Sequence, residues 1–224
     1  MNELGKLHQL IISFSWHDMT FNLEPILMSW IVLSAILIFG YLAAKKRTII
    51  PGKLQVAGEL FVEHLSNLAE DTLGKEIGSK FAPLTCALFM FLVLSNWLGI
   101  IPYLHEPTKD LNTPLALGVM GFFIAHYMGI KVKGFKQYAG AYFQPIFFMM
   151  PLNLIGELAK VVSISFRLFG NIMGGSIIIL VVSYLTYSII LPPVLNAFFG
   201  LFVGTIQAFV FTMLTIVYIS VQVK

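Results

Sequence analysis

Residues 26–44 run without a single charged side chain, and so do residues 84–104 and 114–130. About 20 consecutive apolar residues in a helix match the ~30 Å hydrocarbon core of a bilayer. No water there can satisfy a free backbone N–H or C=O, so such runs must close their hydrogen bonds internally. A fourth apolar stretch, residues 143–223, is too long for two ordinary spans and reads as two long helices, with the turn supplied by Pro192 and Pro193, which cannot continue a helix. The fold class that follows is an all-α polytopic membrane protein of about five membrane helices. Composition agrees: 58% of the 224 residues are hydrophobic and 11% charged, against about 25% charged in soluble domains.

Residues 45–82 have a different texture. Leu54, Leu60, Phe61, Leu65 and Leu68 recur at roughly helical spacing, with Glu59, Glu63, Glu70 and Asp71 elsewhere. The pattern predicts an amphipathic helix on the membrane surface, with an ordinary soluble loop helix as the alternative. The N-terminus lacks a basic leader and a small-residue cleavage site, so the first apolar run is expected to be retained as a membrane helix.

Basic residues predict orientation. Lys45, Lys46, Arg47, Lys53, Lys75 and Lys80 fall in the first loop, and Lys131, Lys133 and Lys136 follow the third span. The turn 105–113 holds one lysine and residues 191–193 none. The positive-inside rule then places segment 1–25 outside, both basic loops in the cytoplasm and the C-terminus inside. The domain plan is a single membrane domain: first helix 26–44, cytoplasmic loop 45–82 with the interfacial helix, helical hairpin 83–131 and long hairpin 143–223.

Several function classes find no support. A net charge of +3 is too small to suggest nucleic acid. The histidines 8, 17, 64, 105 and 126 lack ligand spacing, so no metal site is expected, and the lone Cys86 forms no intrachain disulfide. A membrane hydrolase would need a nucleophile with a base, and no serine shares a helix face with a histidine.

From 137 to 223 the only charges are Glu157, Lys160 and Arg167. Asn153, Gly156, Lys160, Ser163, Arg167, Gly170 and Gly174 follow steps of three and four, which puts all seven on one helix face. Small residues alone would make a packing seam. An arginine at its centre, costing from about 3 to over 10 kcal/mol at mid-bilayer, marks an ion path or a counter-ion pair instead. Downstream, Asn196, Gly200, Gly204 and Gln207 form a fainter polar track on the last helix. Glu157 and Lys160 can pair at i,i+3, which leaves Arg167 without an intrachain anion and points to a counter-ion on another polypeptide.

The segments "PLNLIGELAKVVSISFRLFGN" and "TIQAFVFTMLTIVYIS", with "IPGKLQVAGELFVEHL" and "LGIIPYLHEPTKDLNTPLALG" before them, resemble subunit a of the F-type ATP synthases over about residues 20 to 222. The resemblance implies a non-catalytic, ion-conducting stator in a bacterial cytoplasmic membrane, beside a rotating c-subunit ring and peripheral-stalk b subunits. It also implies that the last two helices lie strongly tilted along the ring. Arg167 would face the ring's carboxylate and separate two offset half-channels, with Asn171 and Gln207 near that contact. Glu157 and Asn153 match polar positions before the arginine, and Asp110 and Asn112 match a polar pair at the outer turn. Gly156, Ser163, Gly170, Gly174, Gly200 and Gly204 would allow close packing on the ring. No bound cofactor is implied; the transported ion would be a proton, with sodium as the other candidate.

The chain departs from that pattern at two places. Many relatives carry a glutamate where Ser176 stands, and others an ionisable residue where Gly200 stands. Water, His126, Asp110 or Glu157 are the candidates for the missing relay in the outer half-channel. The competing function class is a self-contained transporter or channel with Arg167 as the counter-charge for its substrate.

Overall fold

The computed structural model of the chain describes residues 11–14, 19–44, 52–101, 104–142, 150–186 and 191–223. Lys45, Lys46, Arg47 and the C-terminal Lys224, used above to argue orientation, lie outside the described residues, as do His8 and His17. The membrane-crossing part is all helical. It consists of α1 (Leu23–Ala44), α2 (Lys53–Leu73), α3 (Lys75–Leu98), α4 (Asn112–Lys133), α5 (Phe135–Tyr142), α6 (Met150–Thr186), α7 (Leu191–Ala197) and α8 (Gly204–Val223). A π-helical segment, Phe198–Val203, joins α7 to α8. Among the described residues five helices are long and apolar enough to cross a membrane, the last being the continuous run Leu191–Val223.

Two features were not foreseen. Strands β1 (Ile11–Phe14) and β2 (Met19–Asn22) pair antiparallel ahead of α1, within the segment 1–25 that the charge pattern places outside. Ile, Phe and Thr are residue types enriched in strands, but four residues are too few to show a period. The second is the start of α3, which begins at Lys75 rather than near residue 84. Its first turns are polar, and apolarity therefore did not reveal them. Pro192 and Pro193 occupy the first turn of α7 rather than the turn before it, where a missing N–H has no helical partner to lose.

Helix α2 has the amphipathic pattern expected of it but is not alone on a surface. Gly74, at φ 85°, turns the chain so that α3 folds back along α2. Leu65, Ala69 and Leu73 are buried, and the Phe61 ring lies 5.9 Å from that of Phe89. Leu60, counted above with the apolar face, is exposed. The side chain of Leu54 lies outside the described residues.

Helix α8 is the centre of the molecule. Ala208 and Phe211 pack with Leu88 and Leu92 of α3 and with Ile164, Leu168 and Ile172 of α6. Further along, Ile216, Ile219 and Val223 meet Ala125 of α4 and Leu73 of α2. Helix α4 presents small residues to these neighbours: Gly118, Gly121, Ala125 and Gly129 are all buried. A Cβ on Gly118 would lie 2.5 Å from Ser165 Oγ, so α4 and α6 approach as closely as backbone allows. Side-chain hydrogen bonds tie the helices together as well. Asn96 donates to the Gly204 carbonyl at 2.8 Å and accepts from Thr108 at 2.8 Å. Ser165 donates to the Pro114 carbonyl at 3.1 Å. Each such bond contributes roughly 0.6 kcal/mol in a membrane protein.

Helix α6, with 37 residues, is about 55 Å long. That exceeds the ~30 Å core, so α6 crosses it obliquely or extends beyond it. Helix α1, by contrast, is mostly surface: Trp30 is 64% and Leu37 73% exposed, and Val32 is its buried residue.

Candidate functional site

The face of α6 that carries Arg167 is open. Arg167, Ser163 and Gly170 are exposed, and a Cβ on Gly156, Gly170 or Gly174 would meet nothing within 4 Å. These glycines are therefore not required by packing within the chain. Ser165 and Ile172, turned away from the stripe, are buried at 0% and 6% exposure, and Ile164 and Leu168 flank them in the core, which fixes the rotation of α6 and aims the stripe outwards.

Glu157 and Lys160 form the expected ion pair, Nζ to Oε1 2.6 Å, and their charges cancel. The Lys160 ammonium also lies 5.8 Å from the ring centroid of Tyr218, a favourable cation–π distance. Among the described residues Arg167 has neither an ion pair nor a hydrogen bond. The open stripe thus carries one net positive charge. Facing lipid, that charge would cost at least about 3 kcal/mol; facing an anion on another chain, it would be stabilised.

One helical turn beyond Arg167, Asn171 Nδ2 donates to Gln207 Oε1 at 2.7 Å, bringing α6 and α8 together beside the arginine. Gln207 is buried, and its Nε2 donor has no partner among the described residues. A buried donor without an acceptor costs about 1–3 kcal/mol, and this one lies beside the charged stripe.

Cavities bordered in part by polar side chains lie on both sides of Arg167 along α6. On the N-terminal side a small cavity of about 20 Å³ is lined by Glu157, Lys160, Ile164, His126, Tyr218 and Gln222, room for about one water. Asn153 lies further along the same side of α6, half-buried. His126 Nδ1 is 2.9 Å from the Phe122 carbonyl. A carbonyl can only accept, so the imidazole carries a proton on Nδ1. Tyr138 donates to Gln222 Oε1 at 3.0 Å in the same region.

On the C-terminal side two larger cavities meet at the α3–α4 turn. One, of about 290 Å³, reaches Phe169 and Met173 of α6 from Glu24, His105 and Asp110. The other, of about 850 Å³, lies between Ser176 of α6, Asn196 of α7 and the same turn. Asp110 Oδ1 accepts the Asn112 backbone N–H at 3.0 Å and so holds the start of α4; the Asn112 side chain is exposed. The Ser176 hydroxyl donates back to the Ile172 carbonyl at 3.1 Å.

Three expectations change. Gly200 and Gly204 do not join the open stripe: a Cβ on Gly200 would meet Ile100 at 2.8 Å, and one on Gly204 would meet Asn96 Cβ at 2.9 Å. Asn196, on the same track, donates to the Gly99 carbonyl at 3.1 Å. The polar track of the last helix is thus a seam against the C-terminal end of α3, and only Gln207 turns towards α6. His126 and Glu157 line the cavity on the far side of Arg167 from Ser176, so neither stands in for a relay beside Ser176. Glu106, in contrast, borders both larger cavities. Sequence reasoning missed it because a turn residue has no periodicity; its one signal was a glutamate inside a short turn between two membrane helices.

A multi-pass helical membrane protein with an unpaired cation on an open helix face, between separate cavities, defines a membrane subunit built to work against another chain. The family profile of the ATP synthase A chain matches residues 26–220. The chain is 39% identical over 207 residues to ATP synthase subunit a of Moorella thermoacetica, covering 89% of this chain and 93% of that one. It is 36% identical over 214 residues to that of Desulforamulus reducens, covering 92% and 82%. Against that of Bacillus subtilis the identity is 36% over 229 residues, covering 92% and 94%. The chain belongs to the ATP synthase subunit a family, the membrane component of that complex.

Proposed function

We propose that the chain is the stator that carries ions to and from a rotating ring of c subunits. One observation carries this reading above the rest. Arg167 is exposed and unpaired among the described residues at the middle of an open stripe, with one small cavity towards the N-terminal end of α6 and two larger ones towards its C-terminal end. The cavity on the N-terminal side serves the cytoplasmic half-channel and the two on the C-terminal side the outer one, and Arg167 stands between them. A carboxylate on the ring meets Arg167 as it passes. At 4 Å and an effective dielectric near 20 the two charges interact by about 4 kcal/mol, enough to lower the carboxylate's pKa by about three units and release its ion. Asn171, exposed one turn beyond Arg167 and held by Gln207, lies beside the same contact. Gly156, Ser163, Gly170 and Gly174 let the ring helices approach.

The transported ion is a proton, with sodium as the alternative, and ATP chemistry resides in other subunits. The chain lies in a bacterial cytoplasmic membrane with its N-terminus outside and C-terminus inside, held by peripheral-stalk b subunits. A self-contained transporter would complete a substrate site around Arg167 from within the chain, whereas Arg167 lies exposed on an open helix face.

The test is ATP-driven ion uptake by inverted vesicles carrying the whole complex. With equal assembly, wild type pumps and Arg167→Ala does not; abolition by a protonophore identifies protons, and resistant sodium uptake identifies sodium. Normal pumping by the variant refutes the stator role.

A further inference from the structure

In the stator reading a group that exchanges protons would serve the outer path, and three carboxylates, Glu24, Glu106 and Asp110, border the two larger cavities. Two are engaged. Glu24 lies 3.4 Å from His105 Nε2, and Asp110 accepts the Asn112 N–H at the start of α4. The Glu106 carboxylate has no hydrogen bond or ion pair among the described residues, although the Glu106 carbonyl accepts the Lys109 N–H at 3.0 Å.

Its backbone is nonetheless held firmly. Pro107 and Thr108, the next two residues, are both buried, and Thr108 is fixed to Asn96, which is fixed in turn to Gly204 of α8. The side chain has a dedicated seat: a Cβ on Gly99 would coincide with the Glu106 carboxylate. The Gly99 carbonyl accepts from Asn196, which lines the cavity beside Ser176. Glu106 thus stands where the cavity reaching Glu24 and Asp110 meets the cavity reaching Ser176, with His105 and Lys109 as the other groups common to both.

We infer that Glu106 is the proton-exchanging carboxylate of the outer half-channel, an assignment that rests on the stator reading above. The carboxylate accepts a proton from hydronium in the cavity at the Glu24 end. It returns that proton to a water in the cavity beside Ser176, and the carboxylate is regenerated with no change of electrons. Gly99 acts as its positioning residue, since any larger side chain there would displace it.

The assignment is tested in inverted vesicles bearing the whole complex. Glutamine keeps the shape of Glu106 without a titrating oxygen. Glu106→Gln should lower proton-driven ATP synthesis and protonophore-sensitive pumping at least about tenfold, a modest loss for a group of this kind. Glu106→Asp should retain more of both. Adding Ser176→Glu to Glu106→Gln should restore most of the turnover, because it returns a carboxylate to the same cavity; a purely structural role would show no such rescue. A Glu106→Gln complex within twofold of wild type, in vesicles where Arg167→Ala is inactive, overturns the assignment and leaves the stator reading standing. An assembled double variant as slow as Glu106→Gln also overturns it, as does protonophore-resistant sodium transport. Activity in Arg167→Ala would instead remove the reading on which it rests.

Discussion

Arg167 and Gln207 are held in place by what lies behind them rather than by each other. The buried Leu168 and Ile164 set the rotation of α6, and Asn171 holds the Gln207 carbonyl at 2.7 Å. The arginine is left with a fork of donors aimed at a partner. Lysine would keep the charge but offers a compact, strongly hydrated ammonium without that planar fork. Arg167→Lys should therefore assemble normally yet lose at least about tenfold in proton-driven ATP synthesis, equivalent to 1.4 kcal/mol; near-normal synthesis would show that charge alone suffices. At this scale the sequence was readable where chemistry repeats along a helix. The seven stripe residues were found by spacing, as was the Glu157–Lys160 pair. Glu106 was not, because its importance comes from Gly99 and two cavities that only the folded chain brings together.

Helices α4 and α6 both carry glycines at helical spacing, and their surroundings give those glycines opposite meanings. A side chain at Gly118 runs into Ser165 and Val161, whereas one at Gly170 meets nothing in the chain. Gly118→Leu should destabilise the isolated subunit by about 1–3 kcal/mol or more through overpacking, visible as a lower melting temperature in detergent. Gly170→Leu should leave that temperature unchanged and reduce co-purification of the ring. Equal effects of the two on melting would contradict the open stripe. Spacing identified both faces of small residues on the long hairpin, but not what each face touches, hence the misplacement of Gly200 and Gly204. The π segment before Gly204 is as apolar as the helices that flank it, so nothing in the sequence marked it, whereas the start of α3 was hidden because it is polar.

For the whole molecule, the apolar runs were enough to give the class and the five spans, because the bilayer leaves so few solutions. The strand pair before α1 was beyond them. The structure gathers the turn carrying Lys109 with the start of α1 at one end, and leaves Lys131 and Lys133 at the end of α4. In a Cys86→Ser background, Lys109→Cys should react with a membrane-impermeant thiol reagent from outside intact cells. Lys133→Cys should react in inverted vesicles alone, and the reverse pattern would invert the topology.

Ile164 borders the cavity on one side of Arg167 and Phe169 the cavity on the other, so the two walls are about 7.5 Å apart along α6. Where water connects both cavities to the aqueous phases, the electric potential of the membrane falls across that thin partition instead of the full ~30 Å core. An ion crossing it gains about 2.3 kcal/mol per 100 mV in that short step. The field strength at Arg167 would then be about four times that in an undisturbed bilayer, so voltage would act most strongly where the charge is handed over.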